Sequence, residues 1–182
     1  MKTLTAFALT LFGFVALSPL AAEAGWDPRK DQELLKKSKE AIGAFKKKDP
    51  SLKIFFKEAY GYVVFPNITK GGLIVGGAHG NGVVYRKGKI IGRASLSQGT
   101  FGLQAGGKTY SEIIFFKDKA SFDHLINGSL EFAAQATANA VKSGGSADAD
   151  YSKGVAVFSM ATGGLMAEAS IGGQKFKYKP AK

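Results

Sequence analysis

AYGYVVFPNITKGGLIVGGAHGNGVVYRKGKIIG, residues 59–92, is the stretch whose reading decides the fold. Its periodicity is near 2 rather than 3.6, the signature of strands. Residues 61–65 form a β-branched and aromatic run that Pro66-Asn67 is expected to stop, and residues 72–78 supply a second strand. Val83-Val84-Tyr85-Arg86 and Ile90-Ile91-Gly92-Arg93-Ala94 flank Lys87-Gly88-Lys89, the pattern of a hairpin.

Outward from this stretch the strand signals continue. Residues 100–108 and 111–116 read as another pair, and 154–160, 164–171 and 174–178 as the closing strands, with Gly172-Gly173 as a tight turn. Residues 131–140 are ambiguous, since alanine favours helix. Gln135, Thr137 and Asn139 nevertheless alternate with Ala134, Ala136, Ala138 and Ala140, which predicts a strand. Asp118 can cap a short helix whose Phe122, Leu125 and Ile126 face inward, closed by Asn127-Gly128. Residues 143–152 read as a polar loop. A weak repeat, Gly-Leu-x-small-x-small, recurs at 72–77, 102–107 and 164–169 and marks the corners of a bent sheet.

Upstream the period lengthens to 3.6. Leu34, Leu35, Ser38, Ala41, Ile42 and Phe45 fall on one face of a helix over 31–48, bordered by Lys37 and Lys48 on one side and Lys39 and Lys46 on the other. Glu33, Lys36, Glu40 and Lys47 take the opposite face. Asp49-Pro50 ends this helix and starts a short one carrying Leu52, Phe55, Phe56 and Ala59. The expected fold class is therefore α+β: N-terminal amphipathic helices on a glycine-rich, curled antiparallel β-sheet or half-barrel of about nine strands.

The first residues read as an address. Met1-Lys2 precede a nearly unbroken apolar run to Leu20, and Ala22-Glu23-Ala24 offers a small-x-small cleavage site, so a signal peptide over 1–24 is expected to be cut before Gly25. The mature chain divides into a basic helical segment, 25–58, and a β-rich body, 59–182, together one domain. An exported protein in the periplasm or outer envelope is the expectation.

The 182 residues carry 25 Lys+Arg against 14 Asp+Glu, a net charge of +11, with 24 Gly and no Cys. A 45% hydrophobic fraction at this length excludes a disordered tail, and absent cysteine removes thiol nucleophiles and Cys zinc sites. The segment 25–57 holds ten basic and five acidic residues. Lysines beside an apolar stripe can lay their stems on hydrocarbon and hold their ammonium groups at phosphate level. The same stripe can instead pack on the body, leaving the lysines a solvated face.

Catalytic patterns are sparse. GLQAGGKT, 102–109, matches the phosphate-loop form G-x-x-x-x-G-K-[ST], yet the next residues, Tyr110-Ser-Glu-Ile-Ile-Phe-Phe, read as a strand where phosphate binding needs a helix N-terminus. No nucleotide or nucleic acid is expected. His79 and His124 are 45 residues apart with no second ligand nearby, and Asp148-x-Asp150 lacks the glycine and distal Glu of a calcium loop. The expectation is no enzyme, no catalytic residue, no metal and no cofactor. An enzyme would require residues such as Glu112, His79 and Asp123 to converge.

The strings at 59–92, 97–116 (SQGTFGLQAGGKTYSEIIFF) and 151–178 (YSKGVAVFSMATGGLMAEASIGGQKFKY) resemble the bacterial branch of the SYLF domain family, lipid-binding domains also found beside SH3 modules in eukaryotic membrane-trafficking and actin-patch proteins. The likeness runs from about Asp31 to Pro180. It implies a non-catalytic α+β domain that binds anionic phospholipid, with the basic amphipathic helix at the contact. Mapped here, that places Lys36, Lys37, Lys39, Phe45, Lys46, Lys47 and Lys48 on the lipid, with Leu34 and Ile42 beside Phe45. The expected partner is an anionic phospholipid or lipopolysaccharide surface, and the alternative is an envelope-assembly protein that binds another protein.

Overall fold

The computed structural model describes residues 25–72, 75–101, 108–132, 137–140, 151–161, 169–170 and 172–182. The expected signal peptide, residues 143–150 of the expected loop, most of the Gly-Leu repeat, and residues 102–107, 133–136 and 164–168 of the strands expected at 100–108, 131–140 and 164–171 lie outside them. After a 3-10 turn at Pro28–Lys30, helix α1 spans Gln32–Lys48, and a second 3-10 turn at Pro50–Leu52 leads into α2, Lys53–Glu58. The strands are β1 (Gly61–Gly72), β2 (Val75–Arg86), β3 (Lys89–Phe101) and β4 (Lys108–Phe116), then β5 (Thr137–Ala140), β6 (Val155–Ala161), β7 (Ala169–Ser170) and β8 (Gln174–Pro180). Helix α3, Lys119–Ile126, comes directly after β4.

In space the order is β7-β5-β6-β4-β1-β2-β3-β8. The six strands from β6 to β8 are antiparallel neighbours, whereas β5 lies parallel to β6 and β7 antiparallel to β5. This corrects the expected architecture. In place of about nine antiparallel strands under a set of N-terminal helices, the described residues hold three α-helices, only one of them long at its end of the chain, and an open six-stranded antiparallel sheet extended by two short strands.

The physical reason lies in punctuation that does not punctuate. Pro66 was expected to end a strand, but β1 runs through it: the register shifts between Val64 and Asn67 against β2 and between Phe65 and Ile68 against β4. A bulge there absorbs the missing N–H, and the Pro66 carbonyl accepts a bond from Ser111 Oγ at 2.7 Å. Glycines at 76, 77, 80 and 82 likewise stay inside β2, because each still contributes its backbone to the ladder. Segments that read as separate strands are thus joined into β1, β2 and β3.

Both faces of the central strands are buried. Val63, Phe65, Ile114 and Phe116 face one layer with α3's Phe122 and Leu125, while Tyr62, Val64, Ile113 and Phe115 face α1 and α2 through Phe45, Leu52 and Phe55. Two covered faces explain why these strands are continuously apolar rather than alternating. Helix α3 is fixed by a capping box: the Asp118 carboxylate accepts from the Ser121 N–H at 2.8 Å, and Ser121 Oγ lies 3.4 Å from the Asp118 N–H.

The sheet also bends back over the α3 face. Phe65 on β1 and Phe176 on β8 lie three strand spacings apart, roughly 14 Å in a flat sheet, yet their ring centroids are 5.9 Å apart. Gln174 on β8 reaches Glu112 on β4 across four spacings. Side chains pointing inward from β8 therefore meet side chains pointing inward from β4 and β1.

Gly61 shows how closely α3 is seated. A Cβ there would come within 2.5 Å of the Phe122 ring and 2.8 Å of the Tyr85 carbonyl oxygen. Gly61→Ala is expected to lower stability by about 1–3 kcal/mol in urea unfolding. An unchanged midpoint would show that Phe122 does not rest on this glycine.

Candidate functional site

The α1–α2 layer is anchored at its start, middle and end. At the start, Trp26 Nε1 donates to Asp31 Oδ2 at 3.3 Å, and Arg93 of β3 approaches the same oxygen at 3.7 Å. The backbone of Trp26 also bonds the other end of the chain, from its N–H to the Pro180 carbonyl at 2.8 Å and from the Lys182 N–H to its own carbonyl at 3.0 Å. In the middle, Ser38 Oγ and the Tyr85 hydroxyl share a buried hydrogen bond of 3.0 Å. Burial pushes the Tyr85 phenol up, and the Ser38 bond opposes that shift.

At the end of α1, Asp49 reverses the chain. Its carboxylate accepts from the Ser51 N–H at 2.9 Å and from Ser51 Oγ at 2.6 Å, and Pro50 opens the next turn. Phe55 then packs against Phe115 and Phe158, with centroids at 5.5 and 4.9 Å. Phe56 meets Tyr62 and Phe115 edge-on at 5.2 and 4.9 Å.

This packing redistributes the roles expected of α1. Phe45 is fully buried, with Ala41 and Ser38 beside it, and Leu34 and Ile42 are half-buried on the same cluster. The correction is that Phe45 lies in the core rather than at the surface: the apolar stripe of α1 faces the sheet. The lysines do stay at the surface. Lys36, Lys37, Lys39, Lys47 and Lys48 are exposed, and Lys46 is half-buried with its Nζ 4.3 Å from the Phe56 ring centroid.

Charge along the layer is uneven. In the first half Glu33 pairs with Lys37 at 2.6 Å, Glu40 lies 4.0 Å from Lys36, and Asp27 binds Arg29 at 3.1 Å. The Lys37 partner holds the Glu33 carboxyl below its usual range. Beyond Glu40 the only acids before Tyr60 are Asp49, buried in its cap, and Glu58. Among the described residues no ion pair engages Lys39, Lys47, Lys48, Lys53 or Lys57.

Within that uncompensated half sits Ile54, 55% exposed, the large apolar side chain left most open among the described residues. Lys53 precedes it and Lys57 lies one turn on, so all three share the outward side of α2. Sequence reasoning missed Ile54 because it stopped the amphipathic count at the inward Leu52, Phe55, Phe56 and Ala59. An isoleucine off that stripe, between two lysines, was the available signal. No described helix is long and apolar enough to cross a membrane.

The residues named for an enzyme do not converge. Glu112 points into the α3 layer from β4, His79 is exposed on the other face of β2, and Asp123 pairs with Lys119 on α3 at 2.5 Å. His124 Nδ1 lies 3.1 Å from Ser129 Oγ at the end of α3. Of the phosphate-loop match, Lys108 and Thr109 begin strand β4 rather than a helix, and the rest lies outside the described residues. His79 does line an open groove of about 290 Å³ between the first turn of α1 and the β1–β2 ladder, together with Asp31, Glu33, Lys37, Asn67 and Asn81. No cluster of three His, Cys, Asp or Glu able to hold a metal occurs among the described residues.

No protein-family model matches the chain. A curated relative from Aeromonas veronii, described as "Beta cell expansion factor A", is 33% identical over 129 residues, which is 70% of this chain and 49% of that protein. The chain thus spans about half the length of the curated relative it matches.

One buried carboxyl makes stability depend on pH. Glu112 is fully enclosed; Gln174 Nε2 donates to its Oε2 at 3.4 Å, and its Oε1 has no partner among the described residues. Burial pushes it up to about 8, partly opposed by Gln174. The folded state then keeps a proton that the unfolded chain releases above the ordinary carboxyl range. The contribution of Glu112 to stability is full in acid, falls as pH rises from about 4.5 to about 8, and levels off beyond, at roughly 1.4 kcal/mol per unit at most. Glu112→Gln is expected to flatten this slope in urea titrations between pH 5 and pH 8. An equal slope in the variant would refute the assignment.

Proposed function

We propose that this chain is a peripheral protein of anionic phospholipid surfaces, held there by the outward side of the α1–α2 layer. The single observation that carries the reading is Ile54, open to solvent in a half-layer whose lysines have no acidic partner. The resemblance to SYLF domains supports the same class of partner. Lysines near an anionic surface contribute about 1 kcal/mol each at physiological ionic strength, so Lys39, Lys46, Lys47, Lys48, Lys53 and Lys57 set the attraction. Burying Ile54 at the headgroup boundary adds about 1–2 kcal/mol of apolar transfer.

The proposal differs from insertion of an amphipathic helix. Helix α1 stays docked on the sheet, because lifting it would expose Phe45 and its neighbours to water. Lys36 and Lys37 take a lesser part, since Glu40 and Glu33 already neutralise much of their field. The export reading belongs to the same proposal: cleavage before Gly25 and residence in the periplasm or outer envelope, where phospholipid or lipopolysaccharide supplies the anionic surface.

Co-sedimentation with vesicles is the test. Binding is expected to rise with the phosphatidylglycerol fraction in phosphatidylcholine and to collapse at high salt. Lys47→Gln/Lys48→Gln/Lys53→Gln/Lys57→Gln is expected to weaken it by at least tenfold, Lys36→Gln/Lys37→Gln by much less. Ile54→Ser is expected to reduce the part that survives high salt. Equal binding to neutral vesicles would overturn the proposal.

The docked position of α1 is tested separately. Phe45→Ala is expected to cost about 3–5 kcal/mol of stability in urea, the range for a fully buried phenylalanine. A surface-inserting Phe45 would cost little stability and much vesicle binding.

A further inference from the structure

One row of the inner face is polar where its neighbours are apolar. Across the ladders it holds Gln174 of β8, Gln98 of β3, Ala78 of β2, Lys70 of β1 and Lys108 of β4, each the direct partner of the next. These side chains point to the α3 side of the sheet, because Ile68, Leu96, Tyr110 and Phe176, two residues away on their strands, belong to that cluster. Helix α3 itself covers the other end of the strands, where Phe122 rests on Gly61 at the start of β1. The row therefore lies at the end of the curl that α3 does not reach.

The two lysines make the row costly. Directly opposite residues of an antiparallel pair have Cβ atoms about 5 Å apart, and like charges there are destabilising. Among the described residues no ion pair engages Lys70 or Lys108. Lys70 is half-buried, and burial together with the charge of Lys108 holds its ammonium below the usual lysine range. Glu112, the carboxyl that β4 turns to the same face, keeps its proton near neutral pH and so brings no counter-charge. Hydrogen-bonding capacity is left over as well: Tyr110, next inward from Lys108, is buried with its hydroxyl unpartnered among the described residues, and so is Gln174 Oε1.

Two neighbouring ammonium groups without an acid are satisfied together by one anion with several oxygens. A phosphate group has that form, with up to about two negative charges and three acceptor oxygens, and lysine meets it as a point charge. Lys108 remains exposed, so the pair is open to solvent on one side.

We propose that Lys70 and Lys108 bind a phosphate group at the end of the curled sheet away from α3. The lysine of the phosphate-loop match then acts through its strand partner and not through a helix N-terminus, which suits phosphate and not a nucleotide. The site goes beyond the α1–α2 reading, because that layer covers the opposite face of the sheet. Its phosphate can come from a free phosphate or from a phospholipid headgroup, and the two sources share this chemistry.

Titration of the full chain without its leader is the test. Inorganic phosphate and, separately, dihexanoyl phosphatidylglycerol below its micelle concentration are added at an ionic strength held constant with chloride, while the backbone amide shifts of β1 and β4 are followed. At least one of the two is expected to shift these amides saturably. Saturation by inorganic phosphate alone assigns the site to free phosphate, and tighter binding of the short-chain lipid assigns it to a headgroup. Lys70→Gln/Lys108→Gln is expected to weaken the binding at least tenfold, and Lys70→Arg/Lys108→Arg to keep it. Lys47→Gln/Lys48→Gln/Lys53→Gln/Lys57→Gln is expected to bind both probes as the wild type does, which separates this site from the α1–α2 surface.

Without phosphate, Lys70→Gln is expected to leave the urea midpoint unchanged or higher, since it removes a repulsion. A lower midpoint would show that the pair is already compensated and would overturn the proposal. Equal binding by the double glutamine variant, or no saturable shift with either probe, would overturn it too.

Discussion

The strands β1 and β4 must be covered on both faces, and most of the structure depends on that constraint. Val63 and Phe65 point one way while Tyr62 and Val64 point the other, and none of the four can meet water cheaply. One layer is closed by α1 and α2. The other is closed partly by α3 and partly by the sheet itself, whose far strand β8 returns over β1 to place Phe176 on Phe65. Among the described residues the three α-helices do not cover both faces, and the bend of the sheet supplies the missing wall.

That solution fixes where charge can go. With the inward stripe of α1 consumed by the sheet, every lysine of α1 and α2 is displaced to the outer side, and the outward register of β8 collects its own row. Burial and charge are therefore two readings of one pattern. Ile54 is the exception, an apolar side chain left on the outer side with lysines around it. The buried Glu112 is a cost of the same bend, enclosed when β8 closes over β4 with the Gln174 amide as its hydrogen-bond partner.

Much of the local structure was legible in the residues. Asp118 with Asn127-Gly128 announced α3, the lysine-glycine turn at 87–89 announced the β2–β3 hairpin, and the spacing of Leu34, Ala41 and Phe45 announced the inward face of α1. Strand ends were not legible. Pro66 and the glycines of β2 are breakers by local propensity, but ladders on either side hold them in line, and the count of about nine strands failed for that reason. Which apolar residues of α1 and α2 meet solvent was not legible: Phe45, expected at the surface, is buried, and Ile54, given no part in the reading, is exposed.

By itself the sequence determined the period of each segment, the caps and the excess of lysine, because these depend on composition and on neighbours within a few positions. Only the tertiary structure decided which apolar residues remained in water and on which side each group of lysines stands. Those outcomes depend on which surfaces β8, α1 and α3 reach across the sheet, and long-range packing of that kind leaves no mark at any single position of the chain.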